Sequence, residues 1–199
     1  TNHNYPLLWL ARKLEEGDIV ICESPSYLGA INAFKACMPK FVEIEMDAEG
    51  MIMEDLEEVL KTRENVKMIY VIPDFQNPTG KTWSIERRKR LLELANKYDL
   101  PIIEDNPYGD IRFEGEIPPS IKSFDTEGRV IFLGTFSKTF CPGMRIGWVI
   151  ADEEILHKYN FIKQGADLQT SSIAQRQIDK YLEMYDLDAH IDNLKKVYR

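Results

Sequence analysis

Short runs of apolar residues alternate along this sequence with amphipathic stretches of helical length. Several of the apolar runs are continuous in valine, isoleucine, leucine or tyrosine, which is typical of strands buried on both faces. The alternation predicts an α/β fold with a mainly parallel sheet flanked by helices. The predicted strands span residues 18–23, 41–46, 68–73, 101–105, 129–134 and 145–150.

The amphipathic stretches between these runs predict six helices. The clearest pattern begins at Ser84, a favourable N-cap residue, and continues with Ile85, Leu91, Leu92 and Ala95 on one helical face. The predicted helices span residues 27–36, 54–62, 84–98, 152–164, 172–183 and 189–199.

Composition and charge exclude several classes of protein. Acidic residues exceed basic ones by 33 to 25, a net charge of −8, which argues against binding nucleic acid through a basic face. No stretch approaches the roughly 20 apolar residues of a membrane helix. The three cysteines form no CxxC pair, which favours a reducing, cytoplasmic location. The three histidines lie far apart, so we predict no metal site.

Unusual polar groups follow three of the predicted strands. Residues 74–80 follow one strand, residues 104–108 end the next, and residues 135–138 follow a third. In open α/β sheets, ligands bind outside the carboxyl ends of the strands. If these strands are parallel neighbours, an amide, a carboxylate and the amine of Lys138 face one crevice.

The chemistry of these groups suits one cofactor, pyridoxal 5′-phosphate (PLP). A lysine amine near apolar walls can become nucleophilic. A carboxylate beside a heterocyclic nitrogen keeps that nitrogen protonated, as the electron-withdrawing ring of PLP requires. An amide and a phenol can bond a phenolate oxygen, while hydroxyls and an arginine suit a phosphate.

Four motifs, spread over about seventy residues, carry a family resemblance. Asn77-Pro78-Thr79-Gly80, Asp105-x-x-Tyr108, Thr135-x-Ser137-Lys138 and Arg145 resemble, in order and spacing, the signature of class I/II aminotransferases of PLP fold type I. Residues 164–170 further resemble the 2-aminoadipate/kynurenine aminotransferase-like branch. The resemblance implies that this chain forms the PLP-binding large domain of that fold.

The resemblance assigns catalytic roles to three residues. It implies that Lys138 binds PLP as a Schiff base and then carries the proton between the substrate Cα and the C4′ atom of the cofactor. Asp105 would pair with the pyridine nitrogen. Tyr108, together with Asn77, would bond the O3′ oxygen of the ring.

The remaining cofactor contacts come from the same resemblance. Thr135, Ser137 and Arg145 would hold the phosphate, and Tyr27, just after a strand, would stack on the ring. The implied reaction transfers an amino group between an amino acid and a 2-oxo acid. The implied assembly is a homodimer.

The resemblance runs from about residue 8 to residue 199 and departs from the family in two places. Residues 1–6 replace the usual Gly-Ser-Gln type of phosphate loop. The N-terminal arm and the C-terminal small domain are not found in the sequence, so we expect a fragment that is poorly active alone. Residues 1–185 would be a partial large domain, and residues 186–199 the start of a linker helix.

Two alternatives remain open at this point. A PLP-dependent β-lyase would share the cofactor residues, so the motifs do not separate it from an aminotransferase. The chain could also belong to the aminotransferase-like sensor domain of a transcription regulator. A basic winged-helix segment upstream would identify that class.

Overall fold

A seven-stranded sheet organises residues 14–199, the part of the chain that this computed structural model describes. Its order is β3-β2-β1-β4-β5-β6-β7. Neighbours within β2-β1-β4-β5-β6 pair in parallel, and the edge strands β3 and β7 pair antiparallel. The strands are β1 (Ile19–Ser24), β2 (Lys40–Asp47), β3 (Gly50–Met51), β4 (Val66–Val71), β5 (Ile102–Asp105), β6 (Val130–Thr135) and β7 (Gly147–Ile150).

The predicted mainly parallel α/β architecture is confirmed. All six predicted strands are present within residues 14–199, and β3 was not predicted because its two residues are too short to show a pattern. The departure predicted at residues 1–6 lies outside the described residues.

The helices follow the sequence pattern closely. They are α1 (Leu28–Lys35), α2 (Met53–Thr62), α3 (Ile85–Lys97), α4 (Ile121–Phe124), α5 (Phe136–Thr139), α6 (Glu153–Asp167), α7 (Ser172–Met184) and α8 (Leu187–Tyr198), with a 3-10 turn at Pro142–Met144. The side chain of Ser84 accepts a hydrogen bond from the backbone N–H of Arg87 at 3.2 Å, which confirms the predicted cap. The four-residue helices α4 and α5 were not predicted because they are too short to show a helical period.

Successive side chains along each strand point to opposite sides of the sheet, so the core has two parts, one on each face. On the first, which we call the α3 face, Ile21 and Ile102 pack with Leu56 of α2 and Leu91 of α3. On the second, the α1 face, Val20, Tyr70 and Ile103 pack with Phe34 of α1. Adjacent strand residues therefore point into different environments.

The strand order places one reversal between β1 and β4. From β1 the sheet extends through β2 to β3 in one direction and through β4 to β7 in the other. Ligands of open α/β sheets bind where the strand order reverses, outside the carboxyl ends of the strands. The segments that follow β1, β4, β5 and β6 meet at this edge. None of the helices in residues 14–199 has both the length and the apolar character to span a bilayer.

Candidate active site

All eight residues predicted for the site line one cavity at the carboxyl edge of the sheet. The cavity has a volume of about 180 Å³. Four separate chain segments contribute to it, each following a different strand, and Arg145 adds a fifth. The lining residues are Tyr27, Ile72, Asn77, Asp105, Pro107, Tyr108, Thr135, Ser137, Lys138 and Arg145.

The junction between β6 and α5 places Lys138, the third residue of α5, at this cavity. The Thr135 hydroxyl accepts a hydrogen bond from the Ser137 N–H at 3.1 Å and donates to the Ile146 carbonyl at 3.2 Å. The chain therefore turns from strand to helix immediately before Lys138. The Lys138 Nζ atom lies over the Tyr108 ring, 5.6 Å from its centroid. Thr135 thus supports the turn as well as lining the cavity.

Asp105 enters the cavity from the last residue of β5. Its side chain is buried, and its Oδ2 accepts a 2.7 Å hydrogen bond from the Tyr70 hydroxyl. The pKa of Tyr70 is raised well above its ordinary value. Burial is the largest cause, and the nearby charge of Asp105 is the second. Tyr70 therefore stays protonated and acts as a donor that fixes the orientation of the carboxylate. Tyr70 was missed at the sequence level because it reads as part of an apolar strand.

Asn77 and Tyr108 lie together, although one follows β4 and the other follows β5. Burial raises the pKa of the Tyr108 hydroxyl, and a hydrogen bond with the Asn77 side chain opposes that rise. The amide and the phenol can therefore converge on a single oxygen of a ligand. Their predicted proximity is present in the structure.

Arg145 and Ser137 form the cationic end of the cavity. The Arg145 Nη1 donates to the Ser137 Oγ at 3.3 Å and to the Pro142 carbonyl at 3.0 Å. Arg145 has a φ of 55°, in the left-handed region. A guanidinium beside a hydroxyl suits an anion such as a phosphate.

Tyr27 also lines the cavity, where it is the N-cap residue of α1. Its ring crosses directly over Gly29, where an added Cβ would lie only 2.4 Å from the Tyr27 Cζ. The absence of a side chain at Gly29 therefore lets the ring adopt this position. The sequence segment alone did not reveal the role of this glycine.

Several buried polar residues behind the cavity were also missed. Glu23 at the end of β1 accepts hydrogen bonds from the Trp83 indole at 2.9 Å and from the Ile72 N–H at 3.1 Å. Gln76, directly before Asn77, is 1% exposed. Burial raises the pKa of Glu23 to about 8. An acidic residue within an apolar run was the available signal, since such a residue needs partners when buried.

A larger cavity of about 640 Å³ adjoins the first. The two share the lining residues Asn77, Tyr108, Ser137 and Lys138. The larger one is mainly apolar, with Phe75, Phe113, Phe140, Leu194 and Tyr198 in its walls. Within residues 14–199, no group of three or more histidine, cysteine or acidic side chains could hold a metal ion.

Comparison with known proteins identifies the family of this chain. The family model described as aminotransferase class I and II matches residues 1–197, and the chain therefore belongs to that family. An aromatic-amino-acid aminotransferase from Thermococcus litoralis is 48% identical over 190 residues, which are 94% of this chain and 46% of that protein. The chain spans about half the length of the aminotransferases it matches.

Solved structures of aminotransferases share the fold of this chain. Kynurenine aminotransferase from Pyrococcus horikoshii, solved in complex with PMP, has a TM-score of 0.95 and 44% identity over 98% of this chain and 50% of its own. LysN, an α-aminoadipate aminotransferase from Thermus thermophilus, has a TM-score of 0.93 and 36% identity over 99% of this chain and 51% of its own. The predicted resemblance to the 2-aminoadipate/kynurenine branch is confirmed.

A relative of another class also matches, at lower identity. The HTH-type transcriptional regulator YisV from Bacillus subtilis is 34% identical over 178 residues, which are 89% of this chain and 37% of that protein. The higher identity to an aminotransferase favours the enzyme over the regulator interpretation.

Proposed function

We propose that this chain forms the cofactor site of a PLP-dependent aminotransferase, which transfers an amino group between an amino acid and a 2-oxo acid. One observation carries the proposal. Side chains from separate segments line one cavity, and they include an amine, a buried carboxylate, an amide beside a phenol, and a guanidinium beside a hydroxyl. Each polar part of PLP has a matching partner in this donor set.

Lys138 and Asp105 would carry the reaction. Lys138 would hold the cofactor covalently, and its amine would then move the proton between the substrate Cα and the C4′ atom. Asp105, oriented by Tyr70, would hold the proton on the ring nitrogen. PLP, when bound, supplies the ring that takes up the electron pair of the broken Cα–H bond.

The other residues would orient the cofactor. Asn77 and Tyr108 would donate to the O3′ oxygen. Ser137 and Arg145 would bind the phosphate, with Thr135 holding the turn that carries Ser137. The Tyr27 ring would stack on the cofactor from the α1 side.

The same proposal divides this chain into two parts. Residues 1–185 would form part of the PLP-binding large domain, and residues 186–199 would begin a linker helix. Leu194 and Tyr198 of α8 line the larger cavity, so this helix already contributes to the region beside Lys138. We further propose a cytoplasmic homodimer.

The larger cavity supports a preference among amino donors. Its aromatic and aliphatic lining suits an aromatic or long apolar side chain. The Thermococcus litoralis relative is named as an aromatic-amino-acid aminotransferase. We therefore expect a higher kcat/KM for phenylalanine than for aspartate in steady-state transamination assays. The reverse order would contradict this assignment.

The central test adds PLP to the longer protein in which this chain is proposed to form the cofactor site. Wild type is expected to show visible absorbance from lysine-bound PLP and to transaminate, while Lys138→Ala should lose both. Lys158→Ala, a surface lysine on α6, is the matched control and should behave as wild type. Unchanged visible absorbance in Lys138→Ala would contradict the proposal. Formation of pyruvate and ammonia instead of a new amino acid would favour a β-lyase.

A further inference from the structure

The side chain of Gln76 uses all of its hydrogen-bonding capacity. Its Nε2 donates to the Pro25 carbonyl at 2.8 Å and to the Glu23 Oε2 at 3.4 Å. Its Oε1 accepts from the N–H of Thr79 at 3.0 Å and from the Thr79 hydroxyl at 2.7 Å. A carboxamide has two donor hydrogens and two acceptor lone pairs, so each one is engaged.

These contacts join two loops that are about fifty residues apart in the sequence. The Tyr27 loop (residues 24–27) contains Pro25, two residues before the side chain that lines one wall of the cavity. The Asn77 loop (residues 76–80) contains Thr79, two residues after Asn77. The main chain of Gln76 also closes its own loop, because its N–H donates to the Lys81 carbonyl at 2.8 Å.

The Gln76 side chain forms a hydrogen-bonded bridge between the two loops, and Glu23 anchors this bridge. This residue is 0% exposed, and besides the amide of Gln76 it accepts from the Trp83 indole and the Ile72 N–H. Trp83 is 1% exposed in the core of the α3 face. Since its partners are part of the packed core, Glu23 offers a fixed point to which the bridging amide is tied.

We propose that Gln76 is a positioning residue that couples the Tyr27 loop to the Asn77 loop and so sets the spacing between the ring-stacking and O3′-binding groups of the cofactor site. The effect on PLP binding rests on the proposed function, whereas the coupling between the two loops is a property of the protein without cofactor. Gln76 lines the larger cavity but not the smaller one, so its effect on the cofactor passes through Tyr27 and Asn77.

Two substitutions separate the two sides of the bridge. In Gln76→Glu, the new side chain still accepts from Thr79 but lacks the two N–H donors that Gln76 gives to the Pro25 carbonyl and to Glu23. Thr79→Val removes the hydroxyl contact and leaves the Pro25 side intact. Gln177→Glu, on the exposed surface of α7, is the matched control for the same chemical change.

The experiment measures hydrogen–deuterium exchange in the PLP-free full chain, and PLP binding in the same variants. In Gln76→Glu, exchange should rise in both loops, and the dissociation constant for PLP should rise roughly ten-fold to a hundred-fold, as for the loss of one or two buried hydrogen bonds. Thr79→Val should show a smaller rise in both quantities. Circular dichroism confirms that each variant is folded.

The visible absorbance of the PLP-bound protein distinguishes a positioning role of Gln76 from a merely structural one. If Asn77 is displaced from O3′, the pH midpoint of the visible absorbance of the PLP-bound protein should move upward, because a donor to that oxygen lowers the basicity of the nitrogen conjugated with it. Gln177→Glu should leave exchange, affinity and midpoint unchanged.

The outcomes separate this inference from the proposed function. Faster exchange in the Asn77 loop alone, or an unchanged PLP affinity and midpoint in folded Gln76→Glu, overturns the inference. If wild type binds no PLP, the proposed function fails, and the exchange measurement still decides whether Gln76 couples the two loops.

Discussion

Glu104 and Asp105 are neighbours on β5, yet they lie in different regions of the molecule. Glu104 points to the α3 face, where its two carboxylate oxygens accept hydrogen bonds from the N–H groups of Ile121 and Lys122, each at 2.8 Å. Asp105 points to the α1 face and lines the cavity. The pleat of one strand therefore separates a carboxylate that caps helix α4 from one that lines the cavity.

The same difference holds for the other buried acids of the α3 face. The Asp74 carboxylate is bound by the guanidinium of Arg88 at 2.9 and 3.1 Å, and Arg112 adds a third contact at 3.2 Å. Glu23 is held by Trp83 and Ile72. These acids hold the loops and helix α4 behind the site, whereas the α1 face presents its polar groups to the cavity. Burial of a charge is thus a weak sign of function until its partners are known.

Breaking a partnered acid on the α3 face should have the largest effect on stability. Arg88→Met removes the bidentate partner of Asp74. The side chains of Arg88 and Asp74 are both almost fully buried. The free energy of unfolding should fall by about 3–5 kcal/mol, as for other buried pairs that lose one member. Urea denaturation measures this change.

Arg90→Met, on the same helix, is the control for Arg88→Met. Its side chain is 46% exposed and pairs with Glu57 and Glu93, so the change should stay within about 1 kcal/mol. Equal effects for both variants would show that the Asp74 pair has no special structural role.

Changing the acid on the α1 face should affect turnover more than folding. Asp105→Asn keeps an acceptor for Tyr70 but removes the charge beside the ring nitrogen of the cofactor. We expect kcat to fall roughly 10²- to 10³-fold, the usual size of a lost electrostatic contact with reacting atoms. Glu104→Gln, one residue away, should retain most of its turnover. Similar losses in both variants would contradict the division between the two faces.

The smallest expected effect is a change in the pH dependence of stability. Burial raises the pKa of Glu104 to about 7, above its ordinary value of 4.5. The folded protein therefore keeps a proton that the unfolded chain releases, so stability falls as the pH rises from about 4.5 to about 7.

Glu104→Gln should remove that part of the slope. We expect the difference in unfolding free energy between about pH 5 and about pH 8 to shrink by roughly 1–3 kcal/mol. Glu23, whose pKa is raised to about 8, maintains the rest of the slope. An unchanged slope in folded Glu104→Gln would indicate that Glu104 is ionised throughout this range.

The sequence predicted the sheet from local signals, and it predicted the cavity lining from polar groups at strand ends together with the family resemblance. Continuous apolar runs mark strands, and polar groups at their ends mark the carboxyl edge where ligands bind. Lys138, Asp105 and Asn77 each stand at such an end, and the parallel strands bring them together.

The supporting residues were not predictable in the same way. Gln76 and Tyr70 gain their roles from partners tens of residues away, and those contacts depend on strand order and on which face a side chain occupies. Gly29 is identified only when the Tyr27 ring is placed over it. Pattern arguments locate a side chain along one strand, and its partner on another segment requires the tertiary structure.

The most direct test of the account is to locate the covalent attachment of PLP. The full chain is incubated with PLP, reduced with borohydride, digested and analysed by mass spectrometry. The account predicts a reduced pyridoxyl group on Lys138 in wild type, and its absence when Lys138 is replaced by alanine. Stable modification of a different lysine in wild type, with Lys138 unmodified, would contradict it.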